Sequence, residues 1–394
     1  MPDPTSPEPD LTKESGAGAG DAPTPIRFPE LKLAGFSMDT AAKGEVAEIL
    51  VRYGTTSDQH FFHVLVKGFA GVLRHELAKI GAAANIEAAG LVLVHIHADD
   101  TADLWVDQVE VEMSARLKRS VEKGDPIYED AILDVVATRF PGLVFSNQDR
   151  VIVLFREGWR FGLYFDLSGE FDQAYMEATL ARLYRTMLFF ERYAALGEAS
   201  VSASLTNEGW FPFLELHNDE FRSLYNAVLE ARDLGRCNKV IVGNFDAGRI
   251  DALGGRWMSN PHFAKREVVL RSGLESYKRA DPVAAIKTLL TELEGILQDG
   301  HIAVHSTNAK TGALLKFAGL AGAQKAGATD TLFFPTEFQG YLESNMFRDF
   351  DPLIGDAIAS RHGAAHGAAP PDAYTQVRAL QVVLTLDQIC HYLS

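Results

Sequence analysis

Two cysteines in a chain of 394 residues, Cys237 and Cys390, are too few and too far apart to suggest a disulfide framework. Neither lies in a CxxC or Cys/His spacing, so a thiolate zinc site is not expected and a reducing compartment is. Long apolar runs are missing as well. Nothing approaches the ~20 consecutive residues that span a bilayer, and the N-terminus has neither the basic start nor the apolar stretch of a secretion signal. These absences argue against a membrane partner and for a cytoplasmic protein.

Positive charge is also scarce. Lys and Arg number 37 against 53 Asp and Glu, a formal net charge of −16, which repels phosphate backbones at long range and speaks against DNA as a partner. Any RNA contact must be local. Residues 278–394 hold nine Lys and Arg against twelve Asp and Glu, a balance of −3, so they escape most of the acidity without becoming basic. No P-loop GKS/GKT, no GxGxxG after a strand and no GxSxG elbow occurs, so no nucleotide cofactor or α/β-hydrolase chemistry is expected.

Hydrophobic residues make up 47% of the chain, enough for two or three domains with real cores. Residues 1–28, rich in Pro, Gly, Ala, Ser and acid, read as a disordered tail. "GEVAEILVRYG" and "HFFHVLVKGFAGVLRHELAKIG" carry apolar residues at three- and four-residue spacing and predict helices, the second from about His60 to Ile80. "GLVLVHIHA" and "LWVDQVEVEM" (104–113) read as strands, and "RVIVLFREGWRFGLYFDLS" as an antiparallel hairpin with Gly158 in its turn. A mixed α/β domain is thus expected over 29–168.

Helical patterns dominate from about Glu170. A connecting region, 169–280, leads to an all-α domain, 281–394, and the class is α+β. Asp281-Pro282 marks one helix start and Gly300 its expected end. Further helices fit 310–321, 335–344, 352–366 and 372–393. The last carries the stripe Ala379, Val382, Leu386, Ile389 and Leu393 and should be buried on most sides.

The helix expected over 352–366 ends in "ASRHGAAH". Asp351-Pro352 supplies an N-cap and a first-turn proline, while Gly367 and Pro370-Pro371 mark the end. On an ideal helix His362 and His366 share a face, and Arg361 lies roughly 140° from His366. Arg361 and His366 could therefore converge only if the helix frays at Gly363 or if two copies pair across a twofold axis.

Arg361, four intervening residues and His366, near the end of a helical region and before a further long helix, resemble the HEPN superfamily over about residues 282–394. The resemblance implies a helical bundle, a homodimer and a metal-independent endoribonuclease site in a stress or phage-defence setting. His366 would be general base or acid, Arg361 the phosphate clamp and His362 a polar auxiliary. The residue types suit that chemistry, because a histidine titrates near neutrality and an arginine keeps its charge. Other members of that superfamily are inactive dimerisation or ligand-binding modules, the alternative for this chain. In that case Arg361 would pair with an acid such as Asp356.

Two other features were candidates. His95, His97, Asp99 and Asp100 follow an apolar strand and resemble the HxHxDH metal motif of the metallo-β-lactamase fold, with Asp100 replacing the last histidine. An alternating strand ending in an acidic turn explains them more simply, and no metal is expected. The aromatics of "REGWRFGLYF" and "NEGWFPFLEL" are expected to pack in cores and between domains.

Overall fold

The computed structural model describes residues 24–348, 359–365, 367 and 369–394. Among the described residues helix accounts for 51% and strand for 15%, with the sheet in the N-terminal region and helices following, so the chain is α+β. It divides into two compact units. The first runs to Glu110 and resumes over Phe140–Asp172, and the second comprises Val111–Arg139 and Gln173–Ser394.

Among its described residues the first unit is built on one helix, a six-stranded sheet and a two-stranded ribbon. Its strands are β1 (Ile26–Phe28), β2 (Phe36–Ser37), β3 (Ile49–Leu50), β4 (Arg52–Thr56), β5 (Leu91–Ile96), β6 (Ala102–Val106), β9 (Arg150–Glu157) and β10 (Arg160–Asp166), with helix α1 at His60–Lys79. Six of them form an antiparallel sheet in the order β1-β6-β5-β9-β10-β4, and β2 pairs with β3. Alternation along β5 sends Val92, Val94 and Ile96 into a core with Phe62, Leu65, Phe69 and Leu73 of α1. His95 therefore lies on the opposite face.

Gly158 adopts φ 58° in the β9–β10 turn, as the hairpin requires. Three expectations are corrected. Ile26–Phe28, expected in the tail, is a strand, and Phe28 is buried. The helix expected in "GEVAEILVRYG" is instead β3 and β4, and its apolar Val46 and Ile49 are exposed instead of forming a buried stripe. Trp159, expected in a core, is 73% exposed at the hairpin tip, with the Arg160 guanidinium 4.1 Å from its ring.

The segment 104–113 is also not one strand. Asp107, at φ 57°, turns the chain between β6 and β7 (Glu112–Leu117), and β7 pairs with β8 (Ile132–Arg139) in a separate ribbon. Ile132, Leu133 and Val135 of that ribbon belong to the core of the second unit. Arg185, buried, donates to the carbonyl of Val135 through Nη1 and fixes the ribbon there.

The helices of the second unit are α2 (Gln173–Leu188), α3 (Phe190–Gly197), α4 (Ala199–Asn207), α5 (Asn218–Leu229), α6 (Gly235–Asn244), α7 (Ala247–Met258), α8 (Pro261–Ala264), α9 (Glu267–Lys278), α10 (Pro282–His305), α11 (Thr311–Ala326), α12 (Pro335–Tyr341), α13 (Arg361–Ala365) and α14 (Gln376–Tyr392). One continuous core joins residues from Ile132 to Tyr392, so the segments expected as a connecting region and a terminal domain pack together. The aromatics Trp210, Phe211 and Phe213 lie in this core, as expected. α14 is buried from Arg378 to Tyr392, and no helix among the described residues is long and apolar enough to cross a membrane.

Candidate active site

Helix α10 supplies the floor on which Arg361 rests. Asp281 caps it by accepting from the Ala284 amide at 3.1 Å, with Pro282 in the first turn. It does not end at Gly300. There the missing side chain admits Leu393 and Phe317, to which a Cβ would lie 3.1 Å away, and the helix continues to His305 before Ser306 turns left-handed at φ 56°. Gly300 thus serves close packing, which a sequence pattern cannot distinguish from termination.

α13 is one short turn, and its backbone is pinned from α14. The buried guanidinium of Arg378 donates to the Ala359 carbonyl from Nε (3.1 Å) and Nη2 (2.9 Å), and to Asn345 Oδ1 from Nη1 (2.6 Å). Burial pulls its proton affinity below the ordinary arginine value. Ser360 then caps the turn: its hydroxyl accepts from the Gly363 amide at 3.1 Å, and the Ala364 amide returns to its carbonyl. Ala359 and Ser360 are at most 1% exposed.

Arg361 follows with its side chain 27% exposed and ion-paired to Glu294 of α10. Glu294 also accepts from the Thr311 hydroxyl at 3.1 Å. His362 is half-buried beside Arg361. The described turn runs to Ala365, Gly367 is left-handed at φ 69°, and the Ala369 amide reaches back to the Gly363 carbonyl at 3.1 Å. Gly367 is therefore the expected terminator, whereas Gly363, where fraying was considered, is inside the turn. His366, Asp351-Pro352 and Asp356 lie outside the described residues. Among the described residues the acid that meets Arg361 is Glu294, 67 positions earlier in the chain and invisible to local spacing.

A second polar cluster went unread because its members hide in apolar stripes. Asp387, 1% exposed on α14, accepts from Arg256 Nη2 at 2.9 Å and from the Trp257 indole N–H at 3.0 Å, while Arg256 also reaches Glu215 at 2.8 Å. Glu215, Asp387 and His391 have ligand atoms within 4.8 Å of one another, a metal-like spacing. Arg256 already supplies the cation between the two acids. Both cysteines are free, and burial pushes the Cys390 thiol up to about 12.

His391 makes this cluster acid-sensitive. Burial, then the charge of Arg256, lowers its value from 6.5 to about 3. Because the unfolded chain takes up a proton that the folded chain refuses, this contribution to stability is complete above 6.5 and is lost as pH falls from there toward 3. The slope is at most about 1.4 kcal/mol per pH unit. Urea midpoints measured across that window should flatten in His391→Gln; an unaltered profile would assign the acid sensitivity elsewhere.

In the first unit the acidic turn after β5 forms as expected. Asp99 accepts from the Thr101 amide (3.0 Å) and hydroxyl (2.6 Å), and Asp100, at φ 69°, pairs with Arg150. Neither joins the histidines. His95 Nε2 lies 2.6 Å from Asp149 Oδ2, and His97 Nε2 lies 3.2 Å from Asp103 Oδ2. Burial lowers the His95 value despite Asp149, so its imidazole favours the neutral form. No family model, curated protein or solved structure matches the chain.

Proposed function

We propose that the helices from Pro282 onward form a HEPN-like domain in which Arg361 and His366 cleave RNA without a metal ion, in a homodimer. The observation that carries this reading is the way Arg361 is held. Its backbone is fixed by Arg378 and Ser360, so the guanidinium is not needed to hold its own turn and rests instead on a partly exposed carboxylate. A phosphate oxygen offers the same charge and geometry as Glu294 and can take over that guanidinium.

The reaction is attack by the 2′-oxygen on the adjacent phosphorus with rupture of the bond to the 5′-oxygen. Two copies bring two His366 imidazoles, one to accept the 2′-hydroxyl proton and one to protonate the leaving oxygen. Arg361 neutralises the charge that grows on the phosphoryl oxygens, and His362 is a polar auxiliary. The products are a cyclic phosphate and a free 5′-hydroxyl. The full chain incubated with total RNA in EDTA should release fragments with those ends, while Arg361→Ala and His366→Ala should not. Intact RNA in all three samples overturns the reading.

One contact favours a second reading. The Glu294–Arg361 pair, reinforced by Thr311, is also what a structural clamp between α10 and α13 requires. On that reading the domain serves dimerisation or ligand binding and has no chemistry.

A further inference from the structure

We propose that His95, His97, Asp103 and Asp149 form a binding site for a divalent transition metal of the zinc class, on the sheet face opposite α1. The fold assembles these residues from three neighbouring strands. His95 is directly opposite Asp103 on β6 and Val151 on β9, and Asp149 immediately precedes β9. His97 stands two positions beyond His95, on the same side of the pleat. The two imidazole rings are 4.2 Å apart between centroids.

The donor atoms are already gathered. One atom from each of His95, His97 and Asp149 falls within 4.8 Å of the others, and Asp103 is 3.2 Å from His97. Zinc bonds of about 2.0–2.2 Å to nitrogen and oxygen place tetrahedral ligands roughly 3.3 Å apart. The shift needed is therefore small: the close His95–Asp149 pair opens and the histidines draw together. Two imidazoles and two carboxylates suit zinc and its neighbours better than magnesium or calcium, which prefer all-oxygen shells.

The surroundings resemble those of a held ligand set. Ser146 donates to both oxygens of Asp149, from its amide (2.7 Å) and its hydroxyl (2.8 Å), which fixes the carboxylate's orientation. His95 and Asp149 are each 4% exposed, and Phe145 packs 4.8 Å from the His95 ring. His97 and Asp103, by contrast, line an open cleft of about 640 Å³ with Arg27, an exposed side chain whose Nε lies 3.5 Å from Asp103 Oδ1 and which is free to swing out into water. A metal bound here would have a buried side and a side open to a water or small ligand. The Glu215–Asp387–His391 cluster differs because the partly buried Arg256 already bridges both of its acids, whereas the exposed Arg27 meets, among the described residues, only Asp103.

The ligand set is not the linear motif read from the sequence, since Asp99 and Asp100 are committed to the turn. Calorimetric titration of the chelator-stripped full chain with zinc chloride should give one equivalent per chain, and cobalt(II) should give visible d–d bands of a nitrogen/oxygen site. His97→Ala, a half-exposed position, and Asp103→Asn should lose stoichiometric binding while keeping the wild-type circular dichroism. Ser146→Ala should weaken it by about 10–100-fold. Asp99→Ala and His301→Ala, the latter removing one of two neighbouring histidines on α10, should leave it unchanged. No binding by the wild-type chain, or equal binding by His97→Ala and Asp103→Asn, overturns the proposal.

Discussion

Asp387→Ala is expected to remove about 3–5 kcal/mol of folding stability, the loss that follows when one partner of a buried ion pair is deleted. The carboxylate serves two donors at once, the guanidinium of Arg256 and the indole N–H of Trp257, a residue with no exposed surface. Alanine leaves the indole without an acceptor, which alone costs about 1–3 kcal/mol. It also leaves Arg256 with Glu215 as its remaining carboxylate. Asp387→Asn keeps an oxygen for Trp257 and should lose less. Urea denaturation followed by far-UV circular dichroism reads both, and a loss under 1 kcal/mol for alanine would show that the network is not a structural anchor.

A double-mutant cycle with Arg256→Ala separates the pair from the hydrogen bond. Because Arg256 binds Asp387 through both Nε and Nη2, at 3.1 and 2.9 Å, the two single losses should be far from additive. Asp387→Ala in an Arg256→Ala background should then cost mainly what the indole loses. Purely additive losses would mean that Arg256 contributes through Glu215 alone.

What could be read in advance followed from local pattern. α1 is reported by apolar residues three and four apart within one segment, and the β9–β10 hairpin by a glycine between a β-branched run and an aromatic one. Both signals lie within the element they describe. β4 is different. Its strand state comes from pairing with β10, Arg52 opposite Asp166, more than a hundred positions away, and the apolar spacing of "GEVAEILVRYG" was compatible with a helix. Tertiary pairing decided that segment.

The candidate residues divide in the same way. That Arg361 stands one short turn before a left-handed glycine was legible because Gly367 marks its own turn. Its dependence on Arg378 and its contact with Glu294 were not, since neither residue is spaced to suggest it. His95 and His97 were visible as a strand pair, but the acids that meet them come from β6 and from the residue just before β9. Asp99, adjacent in sequence, is drawn into its own turn by Thr101. Asp387 was hidden because one acid in a buried helix leaves the apolar stripe intact.

On the proposed reading His366→Ala should cut RNA cleavage by about 10²–10⁴-fold, the ordinary contribution of a positioned acid or base. Arg361→Ala should lose about 10²–10³-fold, as expected for a donor aimed at developing charge, and Arg361→Lys should recover little because lysine cannot offer the paired geometry. Glu294→Gln decides between the two readings. It breaks the same ion pair as Arg361→Ala but leaves the guanidinium free for phosphate, so cleavage should persist with a KM equal to or below wild type. If the pair is only a clamp between α10 and α13, Glu294→Gln and Arg361→Ala should instead destabilise the fold alike, and neither should alter the fate of RNA.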